Sequence, residues 1–128
     1  MKEVKNGKGL KLREIVEILQ AEVILADDEN DLSVEMACSS DLMSDVLSFA
    51  RPGSMLFTGL TTPQVIYTVE IADIEVVCFV RGKRPPEETI RLAEQKGIIL
   101  LRTNLPMFES CGRLFQHGLK GTLERENR

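Results

Sequence analysis

The chain has 128 residues, 43% of them hydrophobic and 28% charged, the size and composition of one globular domain of ~100–200 residues around a single core. A net charge of −4 argues against the broad cationic face that DNA or RNA binding needs, and no run approaches the ~18 apolar residues of a membrane span. Three scattered cysteines, Cys38, Cys78 and Cys111, fit reduced thiols in a cytoplasm better than a disulfide framework, and the charged stretch from Met1 to Lys11 holds no secretory apolar run.

Leu12, Ile15, Val16 and Leu19 follow the spacing of an amphipathic helix, and Val23 to Leu25 make a short strand. Asp27 to Asp31 is polar and reads as a turn. From Leu32 to Cys38 apolar and small or polar residues alternate, the mark of a strand near a sheet edge. Ser39 or Ser40 is expected to cap a helix with Asp41 in its first turn, a core stripe of Leu42, Met43, Val46, Leu47 and Ala50, and a stop at Arg51-Pro52-Gly53.

The pattern then repeats. Met55 to Phe57 is a strand ending at Thr58-Gly59, after which Thr62 caps a helix with Pro63 at its first position. Ile74 to Val80, apolar almost throughout, is expected to be a central strand covered on both faces. Pro86 opens a helix whose first turn carries Glu87 and Glu88, with Lys96 in its last turn and Gly97 ending it. Ile98 to Leu101 is the last strand. A final helix from Pro106 to His117 is expected to bury Phe108, Cys111, Leu114 and Phe115. Strands alternating with helices imply an α/β domain, its central sheet mostly parallel and flanked by helices. That domain is expected to span Leu10 to Leu119, between an N-terminal extension of residues 1–9 and a polar, frayed tail of residues 120–128.

The segment Ser40 to Val46, the run Pro86 to Ile90 continuing through Ala93 to Gly97-Ile98, and Phe108-Glu109 with Gly112-Arg113-Leu114 and Gly118-Leu119 resemble stand-alone DRTGG-domain proteins. Relatives of this domain accompany CBS pairs in regulated pyrophosphatases, occur in some phosphotransacetylases and form the N-terminal domain of HPr kinase. Some short bacterial members are found near iron-hydrogenase genes. The resemblance implies a fold like the HPr kinase N-terminal domain and a regulatory, dimer-forming module. Where the family has its name-giving residues, this chain reads Gly59-Leu60-Thr61 and Arg81-Gly82-Lys83, and of those residues only Gly82 is kept. HPr kinase carries its phosphate-binding loop in another domain; here Gly82-Lys83-Arg84 is only a fragment of that motif, so no kinase activity is expected.

In a parallel sheet the ligand crevice lies outside the carboxyl ends of the strands. Four loops fall there: Ser39-Ser40 after Cys38, Gly59 to Thr62, Gly82-Lys83 between Arg81 and Arg84, and Thr103-Asn104. The candidate ligand-binding residues are therefore Ser39, Ser40, Gly59, Thr61 and Thr62, with Gly82, Lys83 and Thr103. Helix N–H groups, hydroxyls and three cations suit an anion or nucleotide. The same serines and threonines also suit simple helix capping, and both readings stand at this point. Cys38 before a helix start could be a reactive thiolate or a small buried hydrophobe, whereas Cys78 belongs to the core. His117 is placed to satisfy terminal carbonyls of the last helix. No catalytic pair, metal set or cofactor motif can be assembled. The expected function is that of a cytoplasmic regulatory domain, not an enzyme, that binds a ligand or partner and pairs as a homodimer. A small-molecule enzyme or phosphotransferase, and a structural adaptor with an empty crevice, are the alternatives.

Overall fold

Leu12, Ile15 and Leu19 are all buried, so the expected stripe is the inner face of a helix, but the chain first makes a two-residue strand, β1 (Leu10–Lys11). Helix α1 (Leu12–Leu19) opens where the Glu14 carboxylate accepts the Lys11 amide at 2.9 Å. Strand β2 (Glu22–Leu25) follows. This computed structural model describes residues 9–26 and 32–122, so the turn expected at Asp27 to Asp31 lies outside the described residues.

The alternating segment from Leu32 is two strands, not one. β3 (Ser33–Val34) pairs antiparallel with β1 in a separate ribbon, and β4 (Met36–Ser39) enters the main sheet. Period-2 alternation survives such a break because each half keeps its own buried residues, Val34 and Met36. Helix α2 (Met43–Phe49) buries Met43 and Val46 and leaves Leu42 and Leu47 exposed, so the expected stripe was too wide. Its N-cap is Leu42, without a side-chain cap, so neither Ser39 nor Ser40 caps it and Asp41 precedes its first turn.

Strand β5 (Ser54–Thr58), helix α3 (Pro63–Ala72), strand β6 (Val76–Phe79), helix α4 (Glu87–Lys96) and strand β7 (Ile99–Arg102) follow as expected. Thr62 is the N-cap of α3 by position, with Pro63 at the start, but its hydroxyl caps nothing. Helix α5 (Met107–Gln116) is followed by β8 (Lys120–Gly121), where a frayed tail was expected. The remainder of that tail, 123–128, and the extension up to residue 8 lie outside the described residues.

Among the described residues the main sheet has the order β2-β7-β6-β5-β4-β8. All its pairings are parallel except β2 with β7. β6 is central, and β4 lies one strand in from an edge, covered by β8 only opposite Met36 and Ala37. Alternate residues of the buried strands feed two cores. Met55, Phe57, Val76, Cys78 and Leu101 pack with α1 and with Leu114 of α5. Leu56, Val77, Phe79 and Leu100 pack on the other face with Met43, Val65, Ile66 and Ala93, hence with α2, α3 and α4. Among the described residues this is an α/β domain with five helices around one mostly parallel sheet, and parallel strands β4 to β7 deliver their carboxyl ends to one edge.

The buried stripe expected for α5 is corrected. Phe108 is 90% and Phe115 64% exposed, while Ser110 and Leu114 are buried. Sequence periodicity marks the apolar arc of a helix but not which part of it faces the core.

Candidate functional site at the carboxyl edge of the sheet

Ser40 continues the β4–β5 ladder through its amide, which donates to the Phe57 carbonyl at 3.1 Å. Its hydroxyl then accepts the Leu42 amide at 3.0 Å, a local serine turn that swings Asp41 back over the end of β5. There one carboxylate oxygen, Oδ1, accepts the Thr58 hydroxyl at 3.0 Å and the Gly59 amide at 2.7 Å. Thr58 is fully buried, and its own oxygen accepts the Leu60 amide at 3.1 Å. The buried Thr89 hydroxyl, from α4, donates to the Thr61 carbonyl at 2.8 Å and fixes the far side of the same loop.

The loop after β6 is a tight turn in which Arg81 (φ 57°) and Gly82 (φ 69°) both occupy the left-handed region, closed by the Lys83 amide on the Val80 carbonyl at 3.2 Å. Left-handed backbone at a non-glycine residue is uncommon. Its consequence is positional: one guanidinium nitrogen of Arg81 and both carboxylate oxygens of Asp41 lie 3.5 Å from the point where a Cβ on Gly59 would stand. Gly59 is thus a bare backbone floor between a carboxylate and a guanidinium. Arg81 is exposed and makes no ion pair or side-chain hydrogen bond among the described residues, and neither does Lys83.

Arg84 behaves differently. With Arg102 it grips Glu22 of β2, each pair at 2.8 Å. The hydrogen bond from Arg84, opposed by desolvation and joined by the hydrogen bond from Arg102 and the charges of both arginines, holds the Glu22 carboxyl below its ordinary 4.5. Arg102 also donates to the Gly82 carbonyl at 3.1 Å, so this cluster braces the turn that carries Arg81. Of the three expected cations, Arg81 and Lys83 are left for a ligand.

All eight expected residues lie at this edge, but they do not converge equally. Gly59, Thr61 and Thr62 share the loop beside Asp41, which the Arg81 guanidinium approaches from the turn that carries Gly82 and Lys83. Ser40 spends its hydroxyl on the turn. Thr103 is buried, donating to the Leu19 carbonyl at 2.7 Å and accepting the Leu105 amide at 3.2 Å, which removes it from the site. Ser39 instead lines a groove with Cys111 of α5. Asp41, expected in the first turn of a helix, and Arg81, counted only for its charge beside Lys83, were not among the candidate residues. A Ser-Asp pair after a strand hinted at the first; nothing local marked the second.

Burial disfavours the thiolate form of all three cysteines. Burial, with the Cys111 thiol adding to it, pushes Cys38 up to about 11, and burial pushes Cys78 up to about 12. Burial also raises Cys111, with Ser39 opposing. Helix α2 begins at Met43, five residues beyond Cys38, so the thiol is not in its first turn. The ring nitrogen Nδ1 of His117 lies 2.8 Å from the Arg113 carbonyl, so the histidine closes α5 as expected. Among the described residues no three His, Cys, Asp or Glu side chains are placed to hold a metal ion, and no helix is long and apolar enough to cross a membrane.

No family model and no curated protein matches the chain. Among solved structures it is similar to the CBS and DRTGG domains of the regulatory region of Clostridium perfringens pyrophosphatase, complexed with the activator diadenosine tetraphosphate, with a TM-score of 0.72 and 17% identity. This chain has a DRTGG/CBS-like fold. The likeness covers 91% of it but 53% of the pyrophosphatase chain, so it spans about half the length of that structure. At this identity the DRTGG/CBS-like likeness speaks for fold alone.

Proposed function

We propose that this protein is a cytoplasmic regulatory domain without catalytic activity, which pairs with itself and binds a nucleotide-type anion at the carboxyl edge of its sheet. The observation that carries this reading is the Gly59 floor between Asp41 and Arg81. Arg81 and Lys83 supply charge for a phosphate. Asp41 adds a requirement absent from a plain anion site, because a carboxylate accepts hydrogen bonds and repels bare anions. Its second oxygen, Oδ2, calls for a ligand that brings hydroxyl or amine donors beside its phosphate, as a nucleotide does with its ribose and base.

The protonated, half-buried or buried thiols and a histidine committed to a helix end support a binding role over an enzymatic one. The pyrophosphatase region of similar fold is regulatory and holds a dinucleotide activator, which favours the same class of ligand. Kinship with the HPr kinase N-terminal domain and with the iron-hydrogenase-associated members rests on the sequence motifs. Adenosine triphosphate, inorganic phosphate and adenosine, each titrated while amide resonances are followed, test the proposal. Saturable shifts at Gly59, Thr61, Gly82 and Lys83 are expected with the nucleotide, with weaker shifts from phosphate or nucleoside alone. No saturable shift at millimolar nucleotide, or shifts centred at the opposite edge near Pro52 and Gly97, overturns it.

A further inference from the structure

Helix α5 packs inward through Ser110 and Leu114, which leaves a solvent-facing ridge with Gly112 at its crest: on a helix of about 100° per residue, Gly112 points away from both. Nothing lies within 4 Å of a Cβ built on Gly112. Phe108 and Phe115 stand two turns apart along one flank of that crest, 90% and 64% exposed. They border an open groove of about 330 Å³ floored by the fully buried Phe57 and reaching Cys38 and Leu119 on the β4 side. The other flank is polar, with Glu109 and Arg113 paired at 3.3 Å.

We infer that α5 is a self-association surface on which two copies of this chain pack α5 against α5, antiparallel about a twofold axis through the Cys111–Gly112 step. Phe108 and Phe115 are placed symmetrically about that step, so the axis sets each Phe108 against the partner's Phe115, and like flank meets like flank. Gly112 beside Cys111 lets the helix backbones approach at the centre. On the polar flank the same axis brings Glu109 of one copy beside the partner's Arg113, so the charges are complementary without any second kind of surface. Phe108 itself is an aromatic knob next to an apolar groove, and two copies can exchange knobs. This surface rests on the proposed pairing.

Aromatic side chains bury ~150–250 Å² each, so four of them at these exposures remove on the order of 600 Å² from water. Stable dimers bury roughly 1,200 Å² or more in total, and the groove walls and polar flank must contribute the rest. Association is therefore expected at the weak end and is sought from roughly micromolar to millimolar protein. Sedimentation velocity on the whole chain, on Phe108→Glu, on Gly112→Gln and on Ile71→Asp decides it, with circular dichroism to confirm that each is folded. Ile71 is 73% exposed on α3, on the opposite face of the sheet. A dimer whose dissociation constant rises at least tenfold in the two α5 variants and stays put in Ile71→Asp is the expected result. A dimer unaffected by either α5 variant, or broken only by Ile71→Asp, overturns the surface while the pairing survives. A monomer throughout the range removes both.

Discussion

The Asp41 carboxylate accepts the Gly59 amide at 2.7 Å and the Thr58 hydroxyl at 3.0 Å across a gap of 18 and 17 residues. This one side chain ties the β4–α2 loop to the β5–α3 loop and so shapes the carboxyl edge.

Asp41→Ala should cost stability as well as ligand. It leaves a buried hydroxyl and an amide without their charged acceptor, a loss of about 1–3 kcal/mol. Asp41→Asn keeps one carbonyl acceptor and should cost less than the alanine variant. Urea denaturation ranks the two; equal midpoints for Ala and the wild type would show that Asp41 does not organise the loops.

Arg81 sits in the left-handed region at φ 57°, where a non-glycine residue is strained by roughly 1–2 kcal/mol, while glycine carries an extra entropy cost of about 0.5–1 kcal/mol. Arg81→Gly should therefore unfold at slightly higher urea than the wild type, by about 0.5 kcal/mol, while losing nucleotide-induced shifts. Stability gained together with binding kept would place the ligand elsewhere.

Gly82 and Gly97 both have positive φ, 69° and 73°, but a Cβ at Gly82 would stand 3.0 Å from the Asn104 side chain and one at Gly97 would meet nothing within 4 Å. Gly97→Ala should lose only the conformational cost of about 1 kcal/mol, and Gly82→Ala more, because Asn104 must also shift. Thermal melts in which the two variants fall equally would contradict the crowding at Gly82.

The Cys38 thiol is raised from an ordinary 9.0 to about 11, so the unfolded chain gives up this proton more readily than the folded one. Its contribution is whole below pH 9 and is lost as the pH climbs towards 11, on the order of 2 kcal/mol if taken alone. The quantity to measure is the difference between wild type and Cys38→Ala. That difference should shrink as pH rises through the window; a constant gap would contradict the burial of the thiol.

What the sequence determined by itself were the elements whose signals are local and mutually consistent. The β-branched apolar run Val76–Phe79 reads as a strand buried on both faces, and Pro63, Glu87, Glu88, Lys96 and Gly97 mark helix ends through capping and the dipole. With strands and helices alternating, a parallel sheet with loops gathered at one edge follows, and all four candidate loops are there. Tertiary structure alone decided which side chains the site keeps. Thr103 is claimed by Leu19 and Arg84 by Glu22, partners more than sixty residues away, and Arg81 reaches Gly59 only because its turn is left-handed. The tertiary fold also decided that Phe108 and Phe115 face outward, since the periodicity of α5 fixes an apolar arc while the positions of β4 and α1 determine which part of that arc is covered.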